Sequence, residues 1–191
     1  MTGDYQDNPL YDDIGRVLLR RSEIAFRVQQ LGRRIAADYQ GRELTILAVL
    51  TGSIMFLADL MRNLPMLMRL DVMGASSYPG SATESQGPQI VLPPQRDLAD
   101  HHVLLMDDIL DTGQTLAEIS RHCSEASVAS LKTCVLLQKS RADRRQILQA
   151  DYVGFEVPDL FVVGYGLDYN HLYRNLPDIC ALKPEAMENK A

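Results

Sequence analysis

Three carboxylates stand close together after an apolar run: Asp107, Asp108 and Asp111 follow Val103 to Met106, and Thr112-Gly113-Gln114-Thr115 comes next, before a helical pattern opens at Leu116. The order is buried strand, acidic pair, small hydroxyl-bearing turn, helix. Such a turn presents backbone N–H groups and the hydroxyls of Thr112 and Thr115 at a helix N-terminus, where phosphate binds readily. Carboxylates accept hydrogen bonds from vicinal hydroxyls such as those of a ribose. A phosphate cradle beside a diol clamp describes a site for a ribose phosphate.

Each of these residues also has an ordinary reading. Asp111 fits a helix N-cap or turn, and Asp-Thr-Gly is common turn chemistry. Asp107 and Asp108 fit a solvated strand end, although adjacent acids repel and such a terminus normally needs a cation or hydroxyl partner. Lys139 follows the apolar run Leu131–Gln138. A lone lysine is usually on the surface, but one at a strand's C-terminal end faces the ligand crevice. Its ammonium donates to a carbonyl and cannot accept from an amine. Phe161, within Leu160–Val163, reads first as core. Asp168 suits a turn, and Arg174 an exposed helix charge. His101, His102, His122 and His171 form no ligand or triad spacing, and His101-His102 reads as an exposed turn before a strand.

The elements that must position these groups alternate. Arg20 to Tyr39 reads as a helix, with Ile24, Val28, Leu31 and Ile35 at spacings of three and four, Ser22 as candidate N-cap and Glu23 in the first turn. Leu44–Leu50 reads as a strand and Ile54–Arg62 as a helix after the turn Thr51-Gly52-Ser53. Leu67–Met73 is a strand, and residues 76–94 form a long mobile loop with a short strand at Gln89–Leu92. Strand 103–106, helix 115–125, strand 131–138, a short helix 142–150 and strands 152–155 and 161–164 complete the chain. Alternation of this kind implies an α/β doubly wound, mainly parallel sheet with ligands outside the C-terminal strand ends. Without repeat or linker, residues 1–191 read as a single domain with a small hood from the chain ends.

Bulk properties bound the partners. The 191 residues can enclose a sizeable core, and 46% hydrophobic with 23% charged residues is ordinary for a soluble protein. No apolar run is long enough to span a bilayer, and the first residues lack the features of a signal peptide, so no membrane partner is expected. Cys123, Cys134 and Cys180 have no metal-ligand spacing and read as buried free thiols in a reducing cytoplasm. A net charge of −6 argues against nucleic acid.

The segment Val103–Thr115 resembles the phosphoribosyl-pyrophosphate (PRPP) signature of the type I phosphoribosyltransferases. Leu47–Leu60 (LAVLTGSIMFLADL), Ser77-Tyr78, Leu136–Ser140 (LLQKS) and Val157–Tyr169 (VPDLFVVGYGLDY) match in order, from about Ile14 to about Leu182. The last two segments select the branch that acts on 6-oxopurines. The resemblance implies transfer of a 5-phosphoribosyl group from PRPP to N9 of hypoxanthine or guanine, giving IMP or GMP and pyrophosphate in purine salvage. It implies that Asp111 exchanges the purine N7 proton. It places Asp107 and Asp108 on the ribose hydroxyls, with Mg²⁺ as cofactor near Asp107 and again at Asp168. Thr112, Gly113, Gln114 and Thr115 would hold the 5-phosphate. Thr51, Gly52 and Arg174 would face pyrophosphate, with Thr51 where many members carry Lys or Arg and with a first loop peptide that is often cis. Lys139 would read O6, Phe161 would stack on the purine, and Val162 and Asp168 would read its edge through backbone. Ser77 and Tyr78 would begin a lid, and the assembly would be a homodimer or homotetramer.

Three other readings compete. A PRPP-binding regulator on the same fold sits poorly with Asp111, the purine-edge match and the acidic net charge. A phosphorelay receiver domain does not explain Asp-Thr-Gly-Gln-Thr. A xanthine-preferring transferase differs only in the substituent at purine position 2.

Overall fold

A computed structural model describes residues 8–76, 88–140 and 147–188. After a single 3₁₀ turn at Pro9–Tyr11, its elements are β1 (Ile14–Leu19), α1 (Arg21–Asp38), β2 (Leu44–Leu50), α2 (Ile54–Arg62), β3 (Met68–Ser76) and β4 (Gln89–Leu92). They continue with β5 (His102–Leu110), α3 (Gln114–Glu125), β6 (Ser130–Ser140), β7 (Tyr152–Pro158), β8 (Val162–Val163), β9 (Ile179–Leu182) and α4 (Pro184–Glu188). The main sheet has the order β4-β3-β2-β5-β6-β7. β3, β2, β5, β6 and β7 run parallel, and β4 lies antiparallel on the edge.

Near-continuous apolar runs make the central strands because both faces are covered. Side-chain alternation then splits each strand between two cores. Ile46 and Ala48 of β2 and Leu104 and Met106 of β5 join Ile24, Val28, Leu31 and Ile35 of α1 and Phe56 and Leu60 of α2. Leu47 and Val49, with Val103 and Leu105, pack instead against Leu116, Ile119 and Cys123 of α3. Each fully buried Val, Leu, Ile, Phe or Met side chain among them contributes about 1.5–3 kcal/mol of transfer free energy. A smaller antiparallel sheet, β1-β9-β8, is the hood, with Val163, Leu176, Cys180 and Leu182 packed beneath Ile14 and Val17. Buried Asp178 ties it down, accepting from Tyr11 Oη at 2.9 Å and from the Arg21 backbone N–H at 2.7 Å.

Several boundaries differ from the sequence reading. The N-cap of α1 is Arg20, whose backbone N–H donates to Glu23 Oε2 at 2.9 Å, so Ser22 lies inside the first turn. β5 does not stop at Met106. Its ladder with β6 continues through Asp107↔Val135 to Leu110↔Gln138, which puts the acidic pair inside the strand. β3, β6 and β7 extend by a few residues beyond their apolar runs for the same reason: backbone pairing continues where hydrophobicity stops. Ile147–Ala150 is not helical, so the expected helix over 142–150 fails in its described part, and 141–146 lie outside the described residues. β1, β9 and α4 had no clear signal. His101 and His102 are half-buried rather than an exposed turn, with His101 between Thr45 Oγ1 (3.0 Å) and Arg69 Nη1 (3.2 Å). Of the expected mobile loop at 76–94, the core with Ser77 and Tyr78 falls outside the described residues.

Candidate active site

A cavity of about 550 Å³ opens at the C-terminal rim of the parallel strands β2 and β5. The turn after β2 brings Thr51 and Gly52, β5 brings Asp107 and Asp108, and the turn into α3 brings Asp111 to Thr115. Asp168, His171 and Arg174 enter from the segment between β8 and β9. The residues that the sequence assigned to phosphate, ribose and pyrophosphate thus meet in one place.

Asp111-Thr112-Gly113 turns the chain from β5 into α3. Gly113 is the N-cap residue with φ 85°, a conformation that suits glycine, and it brings the first residues of α3 into the cavity lining. The Gln114 N–H leans toward Thr112 Oγ1 at 3.4 Å. Asp107 is buried, and its Oδ1 accepts the Asp108 N–H at 2.9 Å, while Asp108 Oδ1 accepts the Ile109 N–H at 2.7 Å. Burial first, and the neighbouring acid second, push the Asp107 carboxyl well above the usual carboxylate range. Burial also raises Asp108, opposed first by its hydrogen bonds with Asp107 and the Ile109 backbone and only last by the Arg174 charge. Such a pair is poised for hydroxyl donors or a cation.

The turn after β2 is built for close approach. The Leu50–Thr51 peptide is cis, as the resemblance implies. A methyl at Gly52 would land on Asp108 Oδ2, and one at Gly166 (φ 101°) would land on the Gly52 carbonyl oxygen. The loop, the acidic pair and the segment that leads to Asp168 are therefore interlocked. Asp168 pairs with Arg174 Nη2 at 2.8 Å and accepts the His171 N–H at 2.9 Å. Arg174 also donates to the Gly166 carbonyl at 2.6 Å. It lies in a turn rather than on a helix.

Lys139, Phe161 and Val162 do not line this cavity. Lys139 is inside β6, one residue from its end, with a side chain only 12% exposed. Its Nζ stands 3.2 Å from Asp111 Oδ2 and 3.2 Å from Asp159 Oδ1. Phe161 is 45% exposed, not core, and meets the Tyr169 ring edge-on at 5.3 Å between centroids. Val162 is buried and pairs with Ala181 of β9. Two cavity or near-cavity residues had no assignment from sequence. Asp159 is hidden in an unremarkable Pro-Asp turn. His171 has no partner spacing, and only its place five residues past Gly166 and three past Asp168 could have marked it.

A parallel sheet with a phosphate cradle, an acidic strand end and an aromatic-and-lysine corner along one rim is the layout of an α/β protein that holds a sugar phosphate beside a planar base. The chain matches the family model described as "Phosphoribosyl transferase domain" over residues 17–170. It is 41% identical over 181 residues to a hypoxanthine-guanine phosphoribosyltransferase from Staphylococcus aureus, covering 94% of this chain and 100% of that one. The enzyme of the same name from Streptococcus pneumoniae is 39% identical over 180 residues, with 94% and 99% covered. A crystal structure of a hypoxanthine phosphoribosyltransferase from Staphylococcus aureus aligns with a TM-score of 0.87 at 41% identity, over 95% of this chain and 98% of that one. The chain belongs to the phosphoribosyltransferase family, within its hypoxanthine-guanine branch.

Proposed function

We propose that this protein transfers the 5-phosphoribosyl group of PRPP to N9 of hypoxanthine or guanine, forming IMP or GMP and releasing pyrophosphate. The observation that carries the reading is the 3.2 Å pair of Asp111 and Lys139 beside the α3 N-terminus. It sets a proton acceptor and a carbonyl-selective cation next to a phosphate cradle.

The steps follow from the residues. Thr112 to Thr115 and the α3 N-terminus hold the 5-phosphate, and Asp107 and Asp108 accept from the ribose hydroxyls. Phe161 offers an exposed face to the purine. Lys139 donates to O6, which favours 6-oxopurines over adenine. As N9 bonds to C1 of the ribose, the bond from C1 to the pyrophosphate oxygen breaks. The N7 proton passes to Asp111, whose charge also stabilises the cation developing on ribose and purine. Arg174 and the Thr51–Gly52 backbone receive the leaving pyrophosphate.

Among the described residues no cluster of three or more His, Cys, Asp or Glu side chains could hold a metal alone. Mg²⁺ typically uses one or two carboxylates plus substrate phosphates, and a largely enclosed acidic pair, with Asp107 buried and Asp108 half-buried, fits that demand. Asp107 would hold one such ion beside the ribose hydroxyls and Asp168 a second, and they would supply charge neutralisation at the pyrophosphate. A reducing cytoplasmic setting accords with three buried, unbridged cysteines. A homodimer or homotetramer rests on the family resemblance alone.

The test is PRPP consumption with Mg²⁺ and each of hypoxanthine, guanine, xanthine and adenine. Turnover of hypoxanthine and guanine is expected, and none of adenine. No turnover with any 6-oxopurine would sink the proposal, and turnover of xanthine above the other two would shift it to a xanthine-preferring enzyme.

A further inference from the structure

The parallel register of β6 and β7, Lys139↔Val157 and Ser140↔Pro158, delivers the residue after β7 to the tip of the lysine. That residue is Asp159. Its Oδ1 lies 3.2 Å from Nζ, the same distance as Asp111 Oδ2 on the other side. One largely buried ammonium is therefore shared by two carboxylates from different elements. Asp111 comes from the turn after β5, and Asp159 from the turn that leads within two residues to Phe161.

We infer that Asp159 is a positioning residue for base recognition: it shares the Lys139 ammonium with Asp111 and so holds that ammonium at the purine end of the site. The inference rests on the phosphoribosyl-transfer reading above. Its logic is charge balance. A largely buried ammonium needs a counter-charge throughout the reaction. With Asp111 as its only partner, proton transfer from purine N7 to Asp111 would neutralise that partner and strand the ammonium. The ammonium would also be drawn toward Asp111 and away from O6. With Asp159 present, Asp111 takes the proton while the Lys139–Asp159 pair stays intact. Phe161, on the same short turn, keeps the stacking face and the ammonium in register.

The experiment begins with the wild-type protein on hypoxanthine and guanine, so that absence of turnover there strikes the proposed activity itself. Asp159→Asn keeps size and removes charge. It should raise KM for the base about tenfold or more, the scale of one lost hydrogen bond to a charged group. KM for PRPP should stay within about twofold. Asp159→Glu should recover most of the loss. In a Lys139→Gln background, Asp159→Asn should add almost nothing, because the group it positions is gone. An unchanged base KM in an active wild-type background overturns the inference. So do equal rises in both KM values, multiplicative losses in the double variant, or a variant without the wild-type circular dichroism, all of which would make Asp159 a structural residue of the turn.

Discussion

Lys139 and Phe161 show how burial separates two readings that residue type leaves open. A lone lysine reads as surface and an aromatic in an apolar run reads as core. The fold reverses both, with a lysine side chain 12% exposed and a phenylalanine 45% exposed. The strand positions of 103–106 and 131–138 were legible because buried parallel strands are apolar runs. The pairing of Asp111 with Lys139, 28 residues away, depends on neighbouring strands and was out of reach of spacing. Asp159 was missed for the same reason. Asp111→Asn should leave the fold and PRPP binding intact while lowering kcat by about 10²–10⁴-fold, since only proton acceptance is lost. A near-wild-type kcat would remove Asp111 from the proton transfer. Lys139→Gln should lose about 1.5–3 kcal/mol of transition-state stabilisation for hypoxanthine and relax the selection against adenine, because an amide both donates and accepts. Comparison of kcat/KM for the two bases decides it, and an unchanged ratio would show that Lys139 does not read position 6.

Elements fail to be legible where the backbone continues past its hydrophobic signal. Asp107 and Asp108 end the apolar run, yet β5 carries on to Leu110 because β6 offers ladder partners there. β1 and β9 pair across 160 residues or more, and neither run is long or regular enough to announce a strand. Contacts between elements carry two expectations. Gly166→Ala would push a methyl onto the Gly52 carbonyl oxygen at a positive φ, so the loop after β2 must move. Backbone strain of this type costs about 1–3 kcal/mol. The expected result is a lower Tm and a larger KM for PRPP than for the base; equal affinities to wild type would show that the loop does not depend on this contact. At the opposite rim, the Tyr152 hydroxyl donates to Asp38 Oδ2 at 2.6 Å and fastens the end of α1 to β7. That bond first, and the Lys132 and Arg34 charges after it, hold the Asp38 carboxyl below the usual carboxylate range. A depressed folded-state value stabilises the fold above the unfolded value, near pH 3.9, and the gain is lost as pH falls through the folded value. Tyr152→Phe should therefore lower stability at pH 7 by about 0.5–1.5 kcal/mol, toward the lower end because the Asp38 side chain is 39% exposed. The stability curve of the variant should be flatter below about pH 4. Urea unfolding across pH 2.5–7 would expose the opposite outcome, parallel curves for the two proteins.

At the scale of the whole molecule, an acidic chain of net charge −6 is read as binding a strongly anionic substrate. The resolution lies in where the charges sit. Among the described residues the cavity gathers Asp107, Asp108, Asp111 and Asp168 against the single guanidinium of Arg174, so PRPP meets a site in which carboxylates outnumber cations. Thr51 adds no positive charge to the turn after β2. Affinity must then come from backbone N–H groups at the α3 N-terminus and from a divalent cation that screens phosphate from carboxylate. Ligand that binds only the folded state raises stability by mass action, about 2.7 kcal/mol at a hundredfold excess over Kd. For a chain of this length that is a rise in Tm of about 5–10 °C. PRPP with Mg²⁺ should produce a shift of that order, and PRPP with a chelator should produce little, because bare pyrophosphate would face the acidic pair. Thermal unfolding with PRPP alone, Mg²⁺ alone and both together separates the terms. A full shift from PRPP in the presence of the chelator would mean that Arg174 and the backbone cradle suffice, and the acidic pair would then serve the ribose hydroxyls without a metal.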